Sequence, residues 1–261
     1  MPHLEIERKR IDTPGPSVRP ATLRASSMGR HAARAVGTLT IFARFARATY
    51  AKDSAGRVVC LVPATGEDGP IHARIDGIYP TFGTSFDLIP GPIWTAPALP
   101  PATSAALARG LAHARAARPT PDPHPTRAAY AEGLAALARW RAGDAPVAAC
   151  GALIGLGAGL TPSGDDALGG AAIALRVFGA VRAADELAEF LRAAVPGRTS
   201  DIAAAFLEAA CEGEGTAGFH AALGALSRGD DDFAPLAAMG HSSGWDAMDG
   251  ACAVLAVSAR R

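Results

Sequence analysis

The chain is 261 residues long, with 25 basic and 25 acidic side chains, 49% hydrophobic residues and 20 prolines. Such a length buries a proper core in one large domain or two modest ones. A net charge of zero gives no general affinity for polyanions, and no uninterrupted apolar run approaches the roughly 18 residues that a membrane span needs.

Residues 1–20 carry charges and prolines without a hydrophobic period, which predicts a disordered tail. The same stretch lacks the apolar core of a signal peptide, so the expected location is the cytoplasm. Basic side chains dominate the first sixty residues and acidic ones dominate from 151 onward. Arg24, Arg30, Arg34, Arg44 and Arg47 come without clustered aromatics or a reading motif. Neither nucleic acid nor a membrane is therefore an expected partner. Attraction between the halves of the chain, or to a partner protein, accounts better for the asymmetry.

From residue 36 to 100 short β-type runs alternate with turn residues. The segments 37–42, 57–62 and 71–75 read as strands, with turns at 53–56 and 65–70 between them. Six prolines between 78 and 101 argue against long strands there. After Pro101 the apolar spacing changes to about 3.6, giving helices over 102–118 and 126–141, separated by a proline-rich breaker. Further helices are expected near 161–178, 182–194, 200–212, 216–227 and 245–259. Strand and helix do not alternate, so a doubly wound sheet is not supported. The expected fold is α+β: a tail (1–20), a small β-rich domain, sheet or barrel (21–100), and a mainly helical domain (101–261).

Residues 151–170, GALIGLGAGLTPSGDDALGG, carry the chemistry. An apolar run ends in Gly155, Gly157 and Gly159, followed by Thr161 as a helix N-cap and Pro162 at the first helical position. A helix start of this kind points free N–H groups outward at the positive end of a dipole, and glycines let a ligand come close. Phosphate or carboxylate is the natural guest. Gly157, Gly159, Thr161, Ser163 and Gly164 are the expected ligand contacts. Two other readings remain: the glycines only make a tight turn, and Asp165 and Asp166 only complement the dipole. Adjacent helix positions point about 100° apart, so the two carboxylates serve different partners. One of them orients a ligand amide or holds Mg2+; no other cofactor is implied. The P-loop lysine and the dinucleotide glycine spacing are both absent.

Two further polar helix starts accompany this one. Met239-Gly240-His241-Ser242-Ser243-Gly244-Trp245-Asp246 places His241 beside two serines, where it can bind substrate or move a proton. Ser243 and Asp246 also have capping-box spacing for the last helix, a purely structural alternative. Arg198-Thr199-Ser200-Asp201 offers Thr199 and Ser200, with Ser200 as a plain cap the simpler reading. Cys60, Cys150, Cys211 and Cys252 are scattered without metal spacing and read as reduced core residues.

GLGAGLTPSGDDALGG, RTSDIAAAFLEAACEGE and MGHSSGWDAMDG, in this order, resemble the successive signatures of the AllH-like family, which includes a subunit of oxamate carbamoyltransferase in allantoin breakdown. The resemblance spans roughly residues 36–258 and is strongest from 151 onward. Ala158 departs from it where proline is expected, and so does Arg198-Thr199, where Asn or Thr commonly precedes the serine. The resemblance implies a multi-subunit transferase that interconverts oxalurate plus phosphate with oxamate plus carbamoyl phosphate, alongside companion subunits. On the reading of the three helix starts, Asp165, Asp166 and His241 are the expected catalytic groups, and Gly157, Gly159, Thr161, Ser163, Gly164, Thr199, Ser200, Ser242 and Ser243 the expected ligand contacts. Catalysis would rest on positioning and on charge stabilisation. A non-catalytic binding or assembly subunit for a small carboxylate metabolite is the alternative.

Overall fold

The computed structural model describes residues 20–35, 37–45, 48–77, 81–120, 125–240 and 242–257. The expected tail, Pro20 apart, and the middle of the proline-rich breaker lie outside them. Among the described residues seven strands come first: β1 (Ala21–Gly29), β2 (Thr38–Arg44), β3 (Thr49–Lys52), β4 (Val58–Pro63), β5 (His72–Ile75), β6 (Ser85–Ile89) and β7 (Ile93–Trp94). They lie in the order β5-β4-β3-β2-β6-β1-β7, and antiparallel pairing of β1 with β5 closes the sheet into a barrel.

Alternation along β4 explains its apolar run. Val59 and Leu61 enter the barrel core with Leu39, Ile41, Ala73, Ile75 and Phe86. Val58, Cys60 and Val62 face outward and pack, with Ile71, against Ala205 and Phe206 of the helical half. A strand buried on both faces reads as a continuous hydrophobic segment rather than an alternating one.

Among the described residues seven α-helices follow: α1 (Ser104–Ala117), α2 (Arg127–Ala142), α3 (Ser163–Val177), α4 (Val181–Ala194), α5 (Asp201–Cys211), α6 (Ala217–Arg228) and α7 (Ser243–Leu255). Helix α3 is the centre of this half. Ala167, Leu168, Ala171, Ala172, Ile173, Ala174 and Leu175 are all buried, so it is apolar nearly all round. The α+β arrangement, β first and helices after, is as the sequence indicates, and segments 147–154 and 168–176 are not strands.

Local readings need correction. The helix expected from Thr161 begins at Ser163, with Pro162 in the capping place and no side-chain cap. Likewise α7 begins at Ser243, and Ser242 precedes it without a side-chain cap, so the capping-box reading of Ser243 fails. Strands β1, β3, β6 and β7 and the 3-10 turns at Ala32–Arg34, Val147–Leu153 and Ala234–Ala238 come in addition to the expected elements. Among the described residues, no helix is long and apolar enough to cross a membrane.

Candidate functional site

The glycine loop leaves the Val147–Leu153 turn and reaches α3 through three left-handed residues, Gly155 (φ 71°), Gly157 (φ 127°) and Gly159 (φ 88°). Only glycine adopts the geometry at 157 without strain. A Cβ there would also lie 2.7 Å from the Ser163 nitrogen, covering the first amide of α3. Among the described residues nothing accepts from the N–H groups of Gly157, Ala158, Gly159, Leu160, Thr161 or Ser163. Gly164 differs: its N–H donates to the Leu156 carbonyl, and it has no room for a side chain against the Leu153 carbonyl. It is a packing residue.

The fold brings all three polar helix starts to this loop. Thr161 and Ser243 hydroxyl oxygens are 3.2 Å apart, which joins the starts of α3 and α7. The Ser200 hydroxyl donates to the Leu160 carbonyl at 2.5 Å while accepting from Ala203 N–H at 3.0 Å as the cap of α5. The Thr199 hydroxyl donates to Asp165 Oδ2. Thr199 and Ser200 thus bind the loop itself and have no hydroxyl proton left for a ligand. Ser242 precedes α7 next to Ser243; His241 lies outside the described residues.

The two carboxylates diverge. Asp165 is 3% exposed and accepts from Gly155 N–H (2.9 Å) on one oxygen and from Thr199 on the other. Burial raises its pKa, against the Thr199 hydroxyl, the Gly155 amide and the charge of Arg198. Asp165 is the brace that ties the loop to the α5 start. Asp166 keeps an Oδ2 shut from solvent and unpartnered among the described residues. Burial holds its carboxyl well above the ordinary range, the charges of Asp246 and Asp165 add to this, and a hydrogen bond from Ser243 opposes it.

Asp165, with both oxygens engaged, is poorly placed to share a metal ion with Asp166. Among the described residues one trio, His31, Glu212 and Glu214, brings three potential ligand atoms within reach of a single ion. Its glutamates pair with Arg34 and Arg30.

Residues 153–255 match the family described as oxamate carbamoyltransferase subunit AllH. This stretch is AllH-like. It takes in the loop, α3, the α5 start and α7, and less than half of the whole chain. No curated protein and no solved structure matches the chain.

Several neighbours of the AllH-like loop escaped the sequence reading. Arg198 donates to the Gly151 carbonyl at 2.8 Å, and its own carbonyl leaves no room for a side chain at Gly155. Asp246, read from the sequence as a capping acid, is 4% exposed and bears on Asp166. Tyr50 of β3 brings in the barrel: burial raises its phenol, with Cys60 and Asp166 contributing. The signal for Arg198 was its place beside Thr199; for Tyr50 the sequence held none.

Proposed function

We propose that the chain is a subunit of a carbamoyltransferase that holds a small anion, phosphate, carbamoyl phosphate, oxalurate or oxamate, on the loop and helix start from Gly157 to Ser163. The observation that carries this reading is the row of N–H groups without an acceptor among the described residues, placed beside the Thr161, Ser163 and Ser243 hydroxyls. Such donors stabilise negative charge at a helix start and cost no reorganisation when charge develops. The reaction that fits the AllH description is oxalurate plus phosphate to oxamate plus carbamoyl phosphate, a step of purine degradation. Companion subunits complete the enzyme, and the cytoplasm is its place. Asp166 contacts the ligand, Asp165 positions the loop, and Mg2+ is not required by this donor set.

Titration calorimetry with inorganic phosphate tests the site. Gly157→Ala should weaken phosphate at least tenfold, because its methyl covers the Ser163 amide and strains the backbone. Unchanged affinity would remove the site. The alternative, a non-catalytic binding or assembly subunit, is favoured by the internal commitment of Asp165, Thr199 and Ser200. Asp166→Asn in the assembled enzyme separates the two: loss of turnover with assembly intact supports transfer at this site, whereas full turnover supports assembly.

A further inference from the structure

The helical half contains one unit twice. Helix α2 ends at Gly143-Asp144 and α6 at Gly229-Asp230, each with a left-handed glycine; Asp144 N–H returns to Arg139 as Asp230 N–H does to Ala225. Ala145-Pro146-Val147-Ala148 then leads into one 3-10 turn, and Ala234-Pro235-Leu236-Ala237 forms most of the other. After the loops, Ser163-Gly164-Asp165-Asp166-Ala167 is matched by Ser243-Gly244-Trp245-Asp246-Ala247, and seven of thirteen residues agree between 163–175 and 243–255. Contacts repeat as well. A Cβ on Gly170 would overlap the Ala247 carbonyl, and one on Gly250 the Ala167 carbonyl, so α3 and α7 meet across a local two-fold relation.

Asp166 and Asp246 are equivalent in this repeat, and each has an unpartnered buried Oδ2. Their other surroundings differ. Asp246 Oδ1 accepts from the Arg118 guanidinium at 2.8 Å, and Arg118 also meets Asp249 at 2.9 Å. Gly169 stands where Asp249 would be in the first unit, and Asp166 has a hydrogen bond from the Ser243 hydroxyl but meets no guanidinium among the described residues. The second unit therefore carries, from its own chain, the planar N–H donor that its aspartate takes. From this internal comparison we infer that Asp166 receives a planar NH2 donor from the ligand, an amide or ureido group, in the manner in which Asp246 receives Arg118.

This rests on the anion-binding reading above and extends it. The N–H row takes the carboxylate of the ligand; Asp166 takes the amide beside it. A compact acid with a neighbouring primary amide satisfies both. Guanidinium and amide share flat geometry and N–H donors, and sites built to hydrogen-bond an NH group reject analogues that lack it.

Oxamate and pyruvate test the inference as a matched pair, because they share a carboxylate and a carbonyl and differ by NH2 against CH3. Calorimetry on the full chain should give oxamate at least tenfold tighter than pyruvate. Asp166→Ala should bring oxamate down to the pyruvate level, while Gly157→Ala should weaken both alike. Asp166→Asn, of nearly unchanged shape, serves if the alanine variant fails to fold, and should narrow the preference. Equal binding of both acids by the parent chain, or a preference that survives at position 166, overturns the inference and leaves the anion site standing. If phosphate, oxamate and pyruvate all fail to bind, the anion reading falls and the inference with it. Tight Mn2+ binding that disappears in Asp166→Asn would also overturn it, assigning the carboxylate to a cation.

Discussion

Asp165 and Asp166 are neighbours in sequence with opposite dependence on their surroundings. Removing the Asp165 side chain strips acceptors from Gly155 N–H and Thr199 in a nearly closed space. Asp165→Ala should cost about 3 kcal/mol in urea denaturation, as expected for two hydrogen bonds to a buried carboxylate. Asp166→Asn should leave stability unchanged or raise it, because it removes a carboxylate that burial disfavours. The sign with pH follows. An acid whose folded pKa is raised stabilises the fold in acid and loses that contribution as pH rises through the folded value. Asp166→Asn should therefore gain most, relative to the parent, above pH 4, and a variant that tracked the parent across that range would contradict this account. His220 runs the other way. It is 2% exposed, its Nε2 accepts from Gly215 N–H, and burial lowers its pKa from 6.5 to about 4. Stability that depends on neutral His220 is complete above pH 6.5 and is lost as pH falls toward 4. The loss reaches about 2 kcal/mol by pH 5, and His220→Gln, measured by urea midpoints at pH 7.5 and pH 5, should abolish it.

At the level of elements, the α3–α7 contact depends on residues without side chains. Gly170 and Gly250 let each helix approach the carbonyl of the other. An alanine at an ordinary helical glycine gains about 1 kcal/mol, but at Gly170 it must push two packed helices apart, a cost of about 1–3 kcal/mol or more. Gly170→Ala should therefore lower the melting temperature by several degrees, and an increase would show that the helices are not in this register. The helices were legible because their apolar spacing, breakers and caps agree; α4 and α6 begin and end within two residues of expectation. Strand β1 was not, because ATLRASSMG lacks branched apolar residues and is held by pairing with β5, β6 and β7, which no local pattern records. The glycine loop was legible as a site. Its division of labour was not, since Thr199, which meets Asp165, and Ser243 and Asp246, which bear on Asp166, lie 34 to 80 residues away. The Ser-Gly-x-Asp-Ala repeat was in plain sight and would have paired Asp166 with Asp246.

For the whole molecule, the uneven charge of the chain resolves in part into contacts between barrel and helices. Arg34 meets Glu212 at 2.8 Å, Arg30 meets Glu214 at 2.9 Å, and Lys52 meets Asp201 at 3.5 Å. Exposed pairs of this kind contribute at most about 1 kcal/mol each, so the apolar seam of Val58, Cys60 and Val62 against Phe206 carries more of the joint. Two cations beside the loop have partners of their own: Arg198 donates to the Gly151 carbonyl, and Lys52 pairs with Asp201 at the α5 start. A transferase acting on phosphate needs positive charge at the transferring group, and at the proposed site the described residues offer amides and hydroxyls instead. That charge is expected from a companion subunit across an interface. The purified chain should then fold and bind phosphate, yet release little or no carbamoyl phosphate from oxalurate. Mixing it with the companion subunits should restore phosphate-dependent turnover, and the Gly157→Ala chain should fail to restore it while still assembling. Robust turnover by the purified chain alone would place the whole catalytic apparatus within these 261 residues and remove the need for a partner.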